Sequence, residues 1–194
     1  MPRRAELERT PFFAQTDLHC GPAALATALG AIGIAASPER LGDEVFLPAR
    51  GGTLQAEMLA GARRHGAVAV RVPGTLEALL REVAAGHVVV VLLNLGLAIA
   101  PRWHYAVVVG YDLDARELLM RSGTTERDRI ALRTFEHTWA RSARWGFVAV
   151  QPGRWPVSAA PDAVVEAAIG FERSASPAPR IATRAASTAM RPLM

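Results

Sequence analysis

The chain of 194 residues is 51% hydrophobic, which is enough for one domain of ordinary size with a single buried core. Its net charge of +4 rests entirely on arginine, since the sequence contains no lysine, and the arginines are scattered among 18 acidic residues. They form no basic stripe with interleaved aromatic residues, which argues against nucleic-acid binding. The apolar run from Val88 to Ala100 is too short for a membrane span, so none is expected.

The only cysteine, Cys20, excludes an internal disulfide bond and is followed by a helical segment. Residues Ala23 to Ala31 are mostly alanine and leucine, which favour a helix, and Pro22 suits its first turn. Cys20 is therefore predicted at a helix N-terminus, where unpaired N–H groups and the helix dipole favour a thiolate. The alternative is that Cys20 is a small buried hydrophobic residue, as is common for a lone cysteine.

Gln15 precedes Cys20 by five residues, in the loop before the helix. Its side-chain amide is predicted to turn toward Cys20. Together with the backbone N–H of Cys20, that amide would form an oxyanion hole for a tetrahedral intermediate.

Further helices are predicted after the N-cap residues Ser37, Thr53 and Thr75. The last two helices are expected to end at Gly66 and Gly86. An apolar strand from Val88 to Leu93 follows them in the chain.

His104 opens a second apolar strand, and the Asp-rich segment around Leu113 predicts a hairpin with a returning strand. A turn at Leu113 would place Val109 opposite Glu117 and His104 opposite Ser122, where side chains are close enough to touch. A lone cysteine and a distant histidine form a candidate nucleophile pair, so His104 is the expected base for Cys20.

The other histidines are His19, His65, His87 and His137. They show no paired metal-ligand spacing and are interpreted as structural or solvated residues. No metal and no cofactor are therefore expected.

Beyond the hairpin, the pattern predicts a strand at Arg129–Leu132, a helix at Thr134–Arg141 and a last strand at Phe147–Gln151. Helices followed by an antiparallel sheet indicate an α+β fold with the nucleophile helix packed on the sheet. Residues 1–152 are predicted to form the domain, and residues 153–194 a helix at Ala163–Arg173 and a disordered tail.

Two motifs carry a resemblance to a known family. The pattern Gln-x4-Cys-Gly-Pro-Ala-Ala-Leu, followed by His-Tyr-x-Val-Val-x-Gly-Tyr-Asp, resembles the double-glycine-type, bacteriocin-processing-like cysteine peptidases over about residues 10 to 150. The resemblance implies a papain-like fold and a peptide or protein substrate. It also implies that Cys20 is the nucleophile, His104 the general base and then acid, and Gln15 the oxyanion-hole amide.

The chain departs from that family at the third catalytic position. The family usually carries Asp-Pro on the strand after the histidine strand, whereas this chain has Arg121-Ser122-Gly123. The hydroxyl of Ser122 can accept a hydrogen bond from the imidazole, but it brings no charge. Asn94, at the end of the neighbouring strand, is the rival candidate, because Cys-His-Asn arrangements are known.

The favoured function is peptide-bond cleavage through an acyl-enzyme on Cys20. The alternatives are a weak or inactive pseudo-peptidase that binds peptides and an acyltransferase that uses the same residues. The first ten residues lack an apolar signal core, so the chain as given predicts a cytoplasmic protein. The family resemblance leaves export or envelope association open, and the sequence predicts neither the substrate sequence nor the oligomeric state.

Overall fold

The computed structural model of the chain describes residues 1–14 and 19–175. In these residues, helices cover both faces of an antiparallel sheet. The helices are α1 (Cys20–Ala31), α2 (Pro38–Val45), α3 (Gln55–Arg64), α4 (Leu76–Ala84), α5 (Leu132–Ala140) and α6 (Pro161–Ala175). The strands are β1 (Arg4–Glu6), β2 (Phe46–Leu47), β3 (Gly52–Thr53), β4 (Val68–Arg71), β5 (Val89–Asn94), β6 (Trp103–Asp112), β7 (Glu117–Ser122), β8 (Thr125–Ala131) and β9 (Gly146–Val150).

Strand β6 lies at the centre of the main sheet, whose order is β4-β9-β5-β6-β7-β8. Strand β5 pairs with β6 as far as Val108, and β1 pairs with β6 from Gly110 onward. Successive side chains of a strand point to opposite faces, so Val107 packs in the core beneath α1, whereas Val108 packs in the core beneath α4 and α5.

Helix α1 is apolar on all of its faces, as is expected for a helix that other elements cover on every side. Every residue from Gly21 to Leu29 is buried. Its inner side packs on the sheet, mainly on β6, and α2 and α3 cover its outer side. The predicted packing of the nucleophile helix on an antiparallel sheet is therefore confirmed.

Two of the three predicted N-caps are confirmed. The hydroxyls of Ser37 and Thr75 accept hydrogen bonds, at 3.3 and 3.2 Å, from the backbone N–H three residues later. The prediction for Thr53 is wrong, because α3 begins at Gln55 with Leu54 as its N-cap. Pairing with Phe46 holds Thr53 in the small β2–β3 hairpin instead.

The β6–β7 hairpin forms, but its predicted register is wrong. Glu117 pairs with Asp112 rather than with Val109, and a bulge leaves Val109 out of the β6–β7 pairing. The carboxylate of Asp112 accepts hydrogen bonds at 3.0 Å from the backbone N–H groups of residues 114 and 115. This side-chain turn moves the centre of the hairpin beyond Leu113.

The sequence did not predict four strands, β1, β2, β3 and β4. Strand β4 has only four residues, Val68–Arg71, which is too short for a clear period of alternation. The other predicted strands and the helices at α5 and α6 are present with shifted ends.

Helix α6 packs against β4 and α3, and its Ala167 lies in the core. The predicted disordered tail falls, beyond Ala175, outside the described residues, and the boundary at residue 152 stays a prediction. Within residues 1–14 and 19–175, every helix falls short of the length and apolarity that a bilayer crossing requires.

Candidate active site

Cys20 is the first residue of α1 and is half-buried, so the predicted helix N-terminus is confirmed. No acidic side chain lies in the first turn of α1, and the side chain of His19 at the N-cap position does not cap the helix. The positive end of the helix dipole therefore acts on Cys20 without competition from a carboxylate in that turn.

Gly21, directly after Cys20, allows β3 to approach the start of α1. A Cβ atom on Gly21 would lie 2.6 Å from Oγ1 and 2.7 Å from Cβ of Thr53, closer than such atoms can approach. The Thr53 hydroxyl is buried and has no hydrogen-bond partner in the described part of the chain. The glycine of the Cys-Gly-Pro motif thus allows Thr53 to form a wall beside the nucleophile.

His104 lies near the start of β6 and is half-buried, and its Nε2 atom is 2.9 Å from Oγ of Ser122. Arg121 pairs with Val107, so Ser122 lies alongside Ala106, two residues from His104 on the same face of the sheet. The two side chains therefore meet as diagonal neighbours, not as the directly opposite pair that the sequence predicted.

Among the described residues, the side chain of Asn94 hydrogen-bonds its own loop and not His104. Its Oδ1 atom accepts hydrogen bonds from the backbone N–H groups of Gly96 and Arg102, both at 2.9 Å, and its side chain is buried. Asn94 therefore closes the loop between β5 and β6. Of the two candidates, Ser122 is therefore hydrogen-bonded to the imidazole of His104, whereas Asn94 has a structural role in the loop.

Gln15 lies outside the described residues. Its role as an oxyanion-hole donor stays a prediction from the sequence.

Arg121 is a structural anchor that sequence reasoning missed. It is 3% exposed, and its guanidinium donates to the carbonyl oxygens of Glu126, Glu8 and Thr10 at 2.5, 3.1 and 3.2 Å. These bonds fasten the chain segment before Cys20 to the β7–β8 hairpin. An arginine directly after the apolar residues Leu118, Leu119 and Met120 was the available signal, because a buried guanidinium needs several acceptors.

Cys20 opens into a cleft of about 520 Å³. The two chain neighbours of His104, Trp103 and Tyr105, also line this cleft, so the nucleophile and the start of the histidine strand border one site, although His104 itself is not among the described lining residues. The remaining lining residues are Arg50, Gly51, Gly52, Thr53, Leu54, Gln55, Leu92, Arg141, Ser142 and Ala143. A larger, mostly apolar cavity of about 700 Å³ lies beside the C-terminal half of α1 and includes neither Cys20 nor His104.

Tyr105 braces the cleft wall, a role that the sequence did not reveal. Its hydroxyl donates to the carbonyl oxygen of Thr53 at 3.2 Å, which ties β6 to β3. Burial, and to a lesser degree the negative charge of a Cys20 thiolate, raises the pKa of Tyr105 well above its usual range. The phenol is therefore a neutral hydrogen-bond donor and not a base.

The described residues hold no cluster of three or more His, Cys, Asp or Glu side chains that fits a metal ion.

A thiol at the start of a central helix, packed on an antiparallel sheet that carries a histidine, defines the papain-like cysteine peptidase fold. The Peptidase C39-like family profile matches residues 8–146, and the chain belongs to that family. The predicted family resemblance and fold class are therefore confirmed. No curated protein is significantly similar to this chain in sequence.

Solved structures share the fold at low sequence identity. A protein described as a C39-like peptidase from Bacillus anthracis has a TM-score of 0.66 and 19% identity, covering 76% of this chain and 98% of its own. The peptidase domain of Streptococcus ComA, a bi-functional ABC transporter of a quorum-sensing pathway, has a TM-score of 0.59 and 18% identity, covering 74% and 99%. A double-glycine-motif protease from an AMS/PCAT transporter, in complex with a leader peptide, has a TM-score of 0.53 and 16% identity, covering 73% and 91%.

Proposed function

We propose that this protein is a cysteine peptidase that cleaves peptide bonds through a covalent acyl-enzyme on Cys20. The observation that carries the proposal is that Cys20, at the positive end of α1, shares one cleft with the strand that bears His104. Membership of the Peptidase C39-like family supports a peptidase at the level of the family.

In the proposed reaction, His104 takes the thiol proton and the thiolate of Cys20 attacks the peptide carbonyl carbon. The oxyanion binds the Cys20 backbone N–H and the amide of Gln15. Collapse of the tetrahedral intermediate breaks the C–N bond, and His104 returns the proton to the departing amine. A water molecule, activated by His104, then hydrolyses the thioester and regenerates the thiol.

Ser122 is the proposed positioning residue for His104. The 2.9 Å contact engages Nε2, so Nδ1 is the nitrogen that would exchange the proton with Cys20. A hydroxyl orients the ring as an aspartate does, but it adds no negative charge to stabilise the imidazolium form.

That missing charge is the observation that favours a second candidate, a peptide-binding pseudo-peptidase. Acyl transfer to an amine is a variant of the main proposal, since it uses the same thioester and differs only in the acceptor.

The proposal is tested by incubating the protein with a peptide library derived from a digested proteome and identifying new termini by mass spectrometry. Cleavage that disappears in Cys20→Ala and in His104→Ala is expected. A small primary amine added to the reaction distinguishes transfer from hydrolysis, because transfer attaches it to the new carboxyl end. Binding of peptides by the wild-type protein with no new termini would overturn the peptidase proposal in favour of the pseudo-peptidase.

A further inference from the structure

The described lining of the cleft beside Cys20 carries positive charge. Arg50 and Arg141 are among its lining residues, and within residues 1–14 and 19–175 no aspartate or glutamate is. A guanidinium stays protonated throughout the physiological range, so this charge is permanent.

Arg50 is one of the two arginines that line the cleft. It ends the short 3-10 turn Pro48–Arg50, and Gly51 follows in the left-handed region at φ 60°, a conformation that favours glycine. Arg50 is exposed, and its side chain makes no hydrogen bond or ion pair within the described ranges. Its side chain is therefore available to a bound ligand.

Arg141 also lines the cleft, and its side chain is held in place. One of its Nη atoms donates to the carbonyl oxygen of Gly96 at 2.8 Å, which fixes the guanidinium and leaves its other N–H groups for a ligand. Gly96 belongs to the loop that Asn94 closes, so the anchor of Arg141 is itself supported.

The turn that follows Arg141 has a strained backbone. Ala143 and Arg144 have φ angles of 53° and 52°, two consecutive non-glycine residues in the left-handed region. The buried hydroxyl of Ser142 holds this turn by donating to the carbonyl oxygens of Leu92 and Trp139. Backbone strain that is maintained by surrounding contacts is typical of functional sites. Here the strained turn directly follows Arg141 and fixes the backbone next to it.

We infer that the cleft selects peptides that place a carboxylate between Arg50 and Arg141, close to the scissile bond. The inference rests on the proposed peptidase function. Guanidinium and carboxylate groups match in planar, two-point hydrogen bonding, and the apolar lining from Leu54, Leu92 and Trp103 suits the aliphatic part of such a residue. The carboxylate belongs either to an Asp or Glu side chain or to the C-terminus of the peptide.

Binding is measured on Cys20→Ala, so that the result does not depend on turnover. Three libraries of fluorescent octapeptides are compared: amidated peptides with Asp and Glu, amidated peptides with Asn and Gln in their place, and the latter with a free C-terminal carboxylate. At least tenfold tighter binding of the first library identifies side-chain recognition, and the same gain for the third identifies the terminal carboxylate. Equal affinity for all three libraries would overturn the inference.

Reversal of charge then tests the two arginines. Arg50→Glu and Arg141→Glu are expected to abolish the preference for carboxylates and to favour library members with Lys or Arg. Arg133→Glu, at an exposed arginine on α5 outside the cleft, is the matched control and should bind as the parent does.

The competing explanation is that Arg50 and Arg141 stabilise the Cys20 thiolate and do not bind the peptide. In that case Arg50→Gln and Arg141→Gln, made in the wild-type background, would slow alkylation of Cys20 but leave the peptide preference unchanged. Such a result would refute the inference. Absence of cleavage together with a clear carboxylate preference in Cys20→Ala would instead overturn the peptidase proposal and leave the recognition site standing.

Discussion

Nε2 of His104 lies 2.9 Å from Oγ of Ser122, across the β6–β7 pairing. In the related peptidases that the sequence resembles, this strand usually supplies an aspartate to the imidazole. Arg121, beside Ser122, donates to the backbone carbonyl oxygens of Glu8 and Thr10 in the segment before Cys20. At this position the chain therefore presents a neutral hydroxyl to the imidazole in place of a carboxylate.

We expect Ser122→Ala to lower kcat/KM only modestly, by about threefold to tenfold, because a neutral acceptor orients the imidazole without stabilising its charge. Ser122→Asp should be tolerated or should raise kcat. Steady-state kinetics on a cleaved peptide measure both effects, and thermal melting shows that the variants fold.

Asn94→Ala is the comparison variant for Ser122. Its amide oxygen holds two backbone N–H groups, so its removal should lower the free energy of unfolding by about 1–3 kcal/mol. A larger loss of kcat in Asn94→Ala than in Ser122→Ala, at unchanged stability, would show that the positioning role has been given to the wrong residue.

Gly21→Ala should destabilise the protein by about 1–3 kcal/mol, because the new Cβ would overlap Thr53. Chemical denaturation measures the loss, and the double variant with Thr53→Gly should show less than the sum of the two single effects. Gly42→Ala, in α2 with its nearest contact at 3.9 Å, is the control and should be neutral or stabilising. Equal effects of the two alanine substitutions would contradict the close contact.

Glu82 should make the stability dependent on acid pH. Burial alone would raise the pKa of this carboxyl, but hydrogen bonds from His87 and Ser158 outweigh burial and lower it below its usual 4.5. A lowered pKa in the folded state means that the stabilisation is present above pH 4.5 and is lost as the pH falls through the folded value.

Denaturation of the wild type and of Glu82→Gln between pH 3 and 7 tests this effect. Glu82→Gln should cost about 1–3 kcal/mol at neutral pH and should flatten the acid limb of the stability curve. Glu77→Gln, on the exposed side of the same helix, should leave that limb unchanged. An acid limb that is identical in wild type and Glu82→Gln would refute the assignment.

Gln15→Ala should lower kcat by roughly a hundredfold if the amide is an oxyanion-hole donor. Alkylation of Cys20 forms no oxyanion, so its rate should stay within about twofold of the wild-type rate. A collapsed melting transition in Gln15→Ala, with alkylation lost as well, would mean that Gln15 has a structural role.

Local signals explain which parts of the fold the sequence predicted. Ser37 and Thr75 cap helices through contacts three residues away, and the alanine-rich run after Cys20 favours a helix by itself. The hairpin register was not predictable in the same way. It depends on two hydrogen bonds from backbone N–H groups to the side chain of Asp112, and the pattern of polar and apolar residues does not reveal them.

The candidate site was predictable only in part, because local sequence patterns do not reveal contacts between distant segments. Cys20 and His104 belong to motifs, whereas the walls of the cleft come from segments far apart in the chain. Thr53 was predicted as a helix cap because a threonine before a helical run usually is one, yet pairing with β2 removes it from that position. The cleft charge from Arg50 and Arg141 depends on tertiary structure alone.

The central claim is that Cys20 and His104 form a reactive thiolate–imidazolium pair. The most direct test is the rate of alkylation of Cys20 by iodoacetamide as a function of pH, in the wild type and in His104→Ala. We predict a wild-type rate that reaches its plateau well below about pH 8.5, where an ordinary thiol titrates, and a profile that shifts toward that value in His104→Ala. A wild-type rate that follows the ordinary thiol titration and is unchanged in His104→Ala would contradict the claim.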